Sequence, residues 1–272
     1  MTKSSRLPTR LLTIPISHYC ERARWALDHA GVHYDERAHL QVFHYAPVRR
    51  HGGAHTVPVL VADGAVYPDS SEIVAFADRC APRNRKLYPS GPANRRGVED
   101  LERRHLDVLG VEARRIMYYH FFRWGRAALS FNRGTAPFWE HALLWLGFPF
   151  AARFAKKRLS VSRPTMLRGR SIVDDEFDRV GERLSDGRRY LMGDDFTAAD
   201  LTFACMAAAV LAPERYGTRL PTIDEVPDET RDAILHYRAH PAGRFGLRLF
   251  AQERPATAAA AGRPTGQPNA GS

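Results

Sequence analysis

Short apolar runs alternate with helical periodicity over the first eighty residues of the chain. The run from Leu11 to Ile16 has the length and composition of a buried strand, and Pro15 marks its end. Alanine and leucine then recur at the three- and four-residue spacing of a buried helix face, and Gly31 supplies a helix stop signal. The pattern predicts a strand followed by a helix that begins near Cys20.

The alternation continues beyond this helix. Residues 32–40 alternate weakly and predict a second strand, and Val57 to Ala62 predicts a third, buried one. Asp63-Gly64 is a two-residue hairpin turn that leads into a fourth strand at Val66-Tyr67, after which helical spacing returns. The predicted order is β-α-β-α-β-β-α, a small sheet with helices packed on its faces.

The composition shifts after residue 81 to Pro, Arg, Asn, Ser and Gly, which predicts a linker. Beyond the linker the pattern is helical. Helices are predicted at about Arg96 to Ala128, residues 135–155, Ser171 to Leu184 and Leu201 to Leu211. Thr197 and Asp200 form a capping-box-like start to the last helix.

These patterns divide the chain into an α/β domain and an all-helical domain. The predicted boundaries are an N-terminal tail at 1–10, the α/β domain at 11–81, a linker at 82–95, the all-helical domain at 96–254 and a disordered tail at 255–272.

Charge and cysteine content narrow the function classes. The chain carries 40 basic and 30 acidic residues, a formal net charge of +10, but the basic residues are scattered, so no nucleic-acid partner is predicted. Cys20, Cys80 and Cys205 form no CxxC pair, and the amino terminus lacks an apolar signal segment. A soluble, cytoplasmic protein is predicted.

The most apolar stretch runs from Phe138 to Phe154. Its uncharged part is much shorter than the roughly 20 residues that a bilayer span needs, so no transmembrane segment is predicted. A buried or interfacial helix is predicted instead. Lys156, Lys157 and Arg158 flank the stretch, and peripheral contact with a membrane is an alternative for it.

Ser17 to Cys20 is the first segment that could carry chemistry. A strand ends there and a helix begins, so the Ser17 hydroxyl and the Cys20 thiol lie where free backbone amides favour negative charge. A hydroxyl that donates to a bound thiol in that field would lower the thiol pKa and produce the nucleophilic thiolate. The alternative is that Ser17 is only a helix cap and Cys20 a small buried residue.

Two further motifs lie at strand and helix boundaries. A Val57-Pro58 step at a strand start is compatible with a cis bond that frees the Val57 backbone to pair with an extended peptide; the alternative is a trans proline. Asp69 and Ser70 precede a helix, where hydroxyl, amides and carboxylate could hold an amino acid; the alternative is an ordinary helix cap.

Taken together, "PxSxYCExxRWAL", "TVPVLV", "DSSEI" and the Thr197–Asp200 box resemble the glutathione S-transferase superfamily over about residues 10 to 250. The resemblance implies a thioredoxin-like N-terminal domain and an all-helical C-terminal domain. It also implies that Ser17 stabilises the thiolate, that Val57, before a cis Pro58, pairs with the cysteinyl part of glutathione, and that Asp69 and Ser70 hold the γ-glutamyl group.

Three positions depart from the superfamily pattern. His18 stands where proline is frequent, and Thr56 stands where a basic residue often precedes the Val-Pro step, so a glycyl contact is absent or comes from His55 or Arg49. Ser17 in place of cysteine disfavours disulfide reduction, which needs an attacking thiol. Cys20 stays an alternative second nucleophile.

The resemblance implies a second-substrate pocket against the first long helix of the helical domain. That helix carries many aromatic residues, of which Tyr118, Tyr119 and Phe122 share one side at helical spacing. They predict an apolar pocket, and the alternative is that they serve as core or dimer contacts. The Phe138 to Phe154 stretch is expected to cap this pocket or act as its lid.

The sequence thus predicts an enzyme that uses glutathione as co-substrate and conjugates its thiolate to a hydrophobic electrophile, or uses it to isomerise or cleave one. A homodimer is implied by the resemblance. No metal is predicted, since His51 and His55 come nearest to ligand spacing and read as loop residues. The alternatives are a non-catalytic binding or scaffold protein and a Cys20-dependent thiol oxidoreductase. The electrophile, and the choice between glutathione and another small thiol, stay open.

Overall fold

The computed structural model describes residues 9–53, 55–132 and 134–255. The predicted N-terminal tail at 1–10 and the tail at 255–272 lie almost wholly outside these residues. The described part begins with a four-stranded sheet in the order β2-β1-β3-β4. β1 pairs with β2 in parallel and with β3 antiparallel, and β3 pairs with β4 antiparallel.

The α/β part has the predicted element order. Its strands are β1 (Arg10–Thr13), β2 (Asp35–Ala38), β3 (Val59–Ala62) and β4 (Ala65–Tyr67). Its helices are α1 (His18–Ala30), α2 (Tyr45–Arg50) and α3 (Ser70–Cys80). The order β-α-β-α-β-β-α is confirmed.

β1 and β3 are shorter than the apolar runs that predicted them. β1 ends at Thr13 because the Ile14 N–H donates to the Cys20 Sγ (3.4 Å) while the Ile14 carbonyl accepts the Ser17 N–H (3.1 Å), so this backbone turns toward α1. β3 begins at Val59, directly after Pro58, which has no N–H to give to a strand ladder.

The remainder of the described chain is helical. Its helices are α4 (Pro92–Arg104), α5 (Gly110–Trp124), α6 (Phe138–Arg158), α7 (Arg163–Arg183), α8 (Ala198–Leu211), α9 (Asp228–Ala239) and α10 (Pro241–Gln252). This arrangement confirms the predicted fold class, a thioredoxin-like α/β unit followed by an all-helical bundle. α8 is central to the bundle, because all but one of its residues are buried and it packs against α1, α4, α5 and α10.

Two of the predicted helices differ from the structure. The single helix expected from Arg96 to Ala128 consists of α4 and α5, joined by a π-helical turn at His105–Leu109. The helix expected to begin at Ser171 begins at Arg163, because Ser162 and Thr165 satisfy each other's backbone N–H groups in a capping box.

The predicted cap of α8 is confirmed. Asp200 accepts hydrogen bonds from the Thr197 N–H (2.9 Å), the Thr197 hydroxyl (2.8 Å) and the Leu191 N–H (2.7 Å). One carboxylate therefore joins the preceding loop to the first turn of the most buried helix. Burial nevertheless raises the pKa of Asp200 to about 6.

Candidate functional site

The amino terminus of α1 lies at the sheet edge, where β1 ends. Ser17 has the extended backbone of an N-cap residue, and its Oγ accepts the N–H of Cys20 at 3.4 Å. The side chain is half-buried, and an accepting hydroxyl still carries a proton that it can donate. Ser17 is therefore both a helix cap and a hydroxyl donor at a positive helix end.

Ser17 opens onto a cavity of about 450 Å³ between the α/β part and the helical part. Its walls come from the start of α1, from the loop before β3, from α5 and from α6. Of the predicted site residues, it is lined by Ser17, Val57, Tyr118 and Phe122. A smaller apolar cavity of about 120 Å³ lies between α5 and α9 and includes neither Ser17 nor Val57.

His18 connects the Ser17 loop to the helical part. Its ring is buried, and its Nε2 donates to the carbonyl of Gly110 at 3.2 Å. Burial, together with the nearby Arg114 guanidinium, lowers the pKa of His18 to about 3, so the ring is neutral at pH 7. The histidine that replaces the frequent proline thus holds the start of α1 against α5.

Tyr19 makes a second connection of the same kind. Its hydroxyl donates to the Leu106 carbonyl at 3.1 Å, on the turn that precedes α5. A Cβ at Gly110 would lie 2.8 Å from the Tyr19 hydroxyl and 2.5 Å from the Met206 sulfur. Glycine at position 110 therefore permits the close approach of α1, α5 and α8 next to the cavity.

Cys20 is fully buried, unlike a reactive thiol. Its sulfur accepts the N–H of Ile14, and burial raises the pKa of its thiol to about 11 although Arg24 and Ser17 act in the opposite direction. A thiol in this environment is protonated and out of contact with solvent at neutral pH. The geometry therefore argues against Cys20 as the second nucleophile considered from the sequence.

The Val57–Pro58 peptide bond is cis, in agreement with the resemblance. Pro58 is buried and Val57 is half-buried at the cavity wall. His55 and Thr56, the two exposed residues that precede Val57, also line the cavity. Arg49, the other cation considered for the glycyl end, is exposed on α2 and is not in the cavity lining.

Asp69 and Ser70 lie at the amino terminus of α3, outside the cavity lining. One oxygen of Asp69 accepts the N–H groups of Ser71 (2.7 Å) and Glu72 (3.0 Å). The Ser70 Oγ accepts a hydrogen bond from the fully buried Arg22 at 2.9 Å. The predicted pair is therefore an N-cap plus a hydroxyl that a buried guanidinium holds in position.

Arg22 joins both parts of the molecule. It donates to Thr202 on α8 (2.8 Å), to Ser70 and Ser71 on α3, and to Glu102 on α4 (2.5 Å). Sequence reasoning did not identify this residue, because a single arginine on a helix carries no sign of being buried.

The aromatic wall of the cavity lies on α5. The rings of Tyr118 and Phe122 stack with centroids 5.3 Å apart, and Phe121 lies across both. Burial raises the pKa of the Tyr118 phenol. Tyr119 differs from the prediction that it lines the second-substrate pocket. Its side chain packs against the main core, under the Arg123 guanidinium, and lines neither cavity.

Sequence reasoning also missed two cavity residues with polar side chains. Arg114 lines the cavity, lies over the Tyr19 ring and has no carboxylate partner in the part of the chain that the structure describes. Gln41 lines the same cavity, and a hydrogen bond between its side chain and the Tyr118 phenol opposes the rise in the pKa of that phenol. Arg114 lies four residues before Tyr118 and therefore on the same helix face, and this spacing is the sequence signal that could have identified it.

Across residues 9–53, 55–132 and 134–255, no group of three or more His, Cys, Asp or Glu side chains is arranged to hold a metal ion. In the same residues no helix is long and apolar enough to cross a membrane.

Two regions of the chain match models of known protein families. Residues 11–85 match the family model for the N-terminal domain of glutathione S-transferase, and residues 148–237 match the model for its C-terminal domain. Together the matches cover more than half of the chain. The search of curated proteins gives no match.

Solved structures share the fold at low sequence identity. Glutathione transferase F2 from Populus trichocarpa is 14% identical with a TM-score of 0.58, over 91% of this chain and 99% of that one. A glutathione S-transferase from Sinorhizobium meliloti 1021 is 16% identical with a TM-score of 0.55, over 89% and 93%. A glutathione S-transferase with bound glutathione from Methylobacillus flagellatus is 16% identical with a TM-score of 0.51, over 91% and 100%.

Proposed function

Because the chain belongs to the glutathione S-transferase superfamily, we propose that it is a glutathione-dependent transferase that joins the glutathione sulfur to an apolar electrophile. The observation that carries the proposal is the position of the Ser17 hydroxyl, at the amino terminus of α1 and open to the large cavity. Isomerisation or cleavage of an apolar substrate by the same thiolate is chemistry of the same class.

The bound thiol would lose its proton because three features favour the thiolate. The Ser17 hydroxyl would donate a hydrogen bond to sulfur, and the α1 dipole is positive at this end. The Arg114 guanidinium, which has no carboxylate partner among the described residues, adds a positive charge to the same cavity. The fully buried Cys20 has no part in this mechanism.

Glutathione would lie along the loop before β3. The backbone of Val57 would pair with the cysteinyl unit, while Pro58 fixes the direction of that backbone. One carboxylate oxygen of Asp69 accepts the two backbone N–H groups of the helix cap, which leaves the other oxygen for a ligand. The Ser70 hydroxyl accepts a hydrogen bond from Arg22 and so keeps its own proton to donate. These two side chains would hold the γ-glutamyl amine and carboxylate. His55, exposed beside Thr56, is the preferred contact for the glycyl carboxylate.

The electrophile would bind on the opposite wall, against Tyr118 and Phe122 of α5 and Leu144 and Phe148 of α6. The thiolate attacks an electrophilic carbon, a C–S bond forms, and the electron pair leaves with a departing group or moves onto the acceptor. Enclosure of both reactants in one cavity supplies proximity. We also propose that the protein is a homodimer and works in the reducing cytoplasm, as three cysteines without a disulfide suggest.

Turnover of glutathione with an apolar activated aryl halide tests the proposal. The thiolate fraction falls about ten-fold for each unit by which its pKa rises, so Ser17→Ala is expected to lower turnover at neutral pH at least about ten-fold. Ser17→Thr keeps a hydroxyl and is expected to retain most of the activity. Ser185→Ala removes an exposed serine hydroxyl at the end of α7 and is the matched control. Equal turnover by Ser17→Ala and Ser185→Ala would refute the role of Ser17.

One observation favours a second candidate, a non-catalytic binding protein: Thr56 supplies no positive charge beside the Val57 backbone. Calorimetric titration with glutathione separates the two. Micromolar affinity that is lost in Asp69→Ala and kept in the hairpin-turn control Asp63→Ala supports the transferase. Absence of binding by the wild type supports the second candidate.

A further inference from the structure

Exposed apolar side chains are concentrated on one helix of the protein. Seven of the twelve large apolar side chains that are exposed in the described part of the chain belong to α6, and Phe138 and Phe150 are 85% and 82% exposed. Phe154 also lines the cavity, and the other six define the outer face of α6: Phe138, Trp139, Leu143, Trp145, Leu146 and Phe150. Contiguous apolar exposure of this kind marks an interaction surface.

The opposite face of α6 is fixed against the protein. Glu140 is fully buried and accepts hydrogen bonds from the His39 ring (2.7 Å) and the Leu40 N–H (2.7 Å). Leu144 and Phe148 continue this inner face along the cavity wall. The helix is therefore apolar on both sides, and the contacts of its inner face keep its outer face turned away from the fold.

The outer face is continuous across Pro149. Proline lacks the N–H that would bond the Trp145 carbonyl, and the Arg126 guanidinium donates to that carbonyl instead, at 3.0 Å. The same guanidinium lies over the Trp145 ring, 4.9 Å from its centroid. The aromatic residues before and after the proline thus belong to one surface.

Charge at the end of the helix identifies the partner. The last turns carry the exposed cations Arg153, Lys156 and Lys157, and Arg158, which is exposed at the cavity wall, while the acidic residue of the helix, Glu140, is buried on the inner face. Tryptophan and phenylalanine favour the boundary between headgroups and acyl chains, and basic side chains bind anionic headgroups. We propose that the outer face of α6 docks the protein onto an anionic lipid surface.

A second copy of the chain is a poorer partner for this face. A two-fold contact brings the same patch of both copies together. The cations at the end of α6 in one copy would then meet no exposed carboxylate of α6 in the other copy, because Glu140 is buried. The overall charge of +10 also favours contact of this face with an anionic surface. α6 would lie in the plane of the surface, because its outer face is apolar and exposed while Glu140 on its inner face is bound to the protein.

Vesicle co-sedimentation with the full-length protein tests the proposal. The vesicles are phosphatidylcholine alone, or phosphatidylcholine with roughly one quarter phosphatidylserine to supply the anionic charge. The wild type is expected to bind the anionic vesicles and to bind the neutral ones much more weakly. Its fluorescence is expected to shift to shorter wavelength on binding, since Trp139 and Trp145 lie on the outer face.

Two double variants separate the apolar and the charged contributions. Leu146→Ser with Phe150→Ser changes two exposed side chains and is expected to weaken binding at least about ten-fold. Lys156→Gln with Lys157→Gln is expected to weaken binding to anionic vesicles about five-fold for each lysine removed. The matched controls are Leu235→Ser on α9 and the charge-matched pair Arg50→Gln with Arg83→Gln, which are exposed residues elsewhere and are expected to bind like the wild type.

Three results would overturn the proposal: no binding of the wild type to anionic vesicles, equal binding by the α6 variants and the controls, or a wild-type dimer that becomes monomeric only in the α6 variants while no protein binds vesicles. The assay contains no thiol and no electrophile. Its outcome is therefore independent of whether the protein is a glutathione transferase.

Discussion

The buried guanidinium of Arg22 is expected to hold the α/β part and the helical part together. It is fully buried and donates to four side chains on three helices, one of them the carboxylate of Glu102, whose side chain is 7% exposed. Arg22→Met has a similar length and removes every one of these hydrogen bonds. Removal of one partner from a buried ion pair costs about 3–5 kcal/mol, because the other charge is left uncompensated.

We therefore expect Arg22→Met to lower the free energy of unfolding by about 3–5 kcal/mol. Chemical denaturation followed by both fluorescence and circular dichroism measures this value, and coincident curves justify a single transition. Arg95→Met is the matched control, because Arg95 and Glu99 form a half-exposed pair on α4 that contributes at most about 1 kcal/mol.

A double variant checks the cause. In Arg22→Met with Glu102→Leu the uncompensated carboxylate is gone, so most of the lost stability is expected to return. A loss of less than about 1.5 kcal/mol in Arg22→Met, or no recovery in the double variant, would refute the claim that the buried charge pair carries the stability of this interface.

Three further outcomes follow from close packing and burial. Gly110→Ala is expected to lower the free energy of unfolding by about 1–3 kcal/mol, because its Cβ would overlap two side chains, whereas Gly147→Ala, with open space around it, is expected to be neutral or slightly stabilising in thermal unfolding. The raised pKa of Asp200 means that its stabilising contribution is full below pH 4 and is lost as the pH rises through about 6, so the stability of the wild type relative to Asp200→Asn should fall over that window in pH-resolved denaturation. Native protein should react with a thiol reagent rapidly at Cys80 and not at Cys20, and modification of Cys20 at neutral pH within the same time would contradict its burial.

Local signals in the sequence predicted much of the fold. The order of strands and helices to residue 80 follows from apolar periodicity and from the hairpin at Asp63-Gly64, and the start of α8 follows from its capping box. The π-helical turn at His105–Leu109 was not predictable in this way, because apolar periodicity does not distinguish one π-helical turn from a continuous α-helix. Periodicity specifies a helix but not the contacts that interrupt it.

The candidate site was predictable where its residues lie at or next to the ends of strands and helices. Ser17, Val57 and Asp69 lie at ends of elements, and ends are visible in the sequence as turn and cap residues. The locations of Tyr119 and Arg114 were not predictable from the sequence. Side chains on one helix have different surroundings, and only the packing of α5 determines that Arg114 lines the cavity and that Tyr119 does not.

Titration of the thiol of bound glutathione by its ultraviolet absorbance tests the central claim most directly. The wild-type complex is predicted to ionise at least one pH unit below the free cysteine value of about 8.5. In Ser17→Ala the midpoint is predicted to return most of the way to that value, and in Ser17→Thr to stay low. A wild-type midpoint equal to that of free glutathione, or an unchanged midpoint in Ser17→Ala, would contradict the account of a thiolate stabilised at the amino terminus of α1.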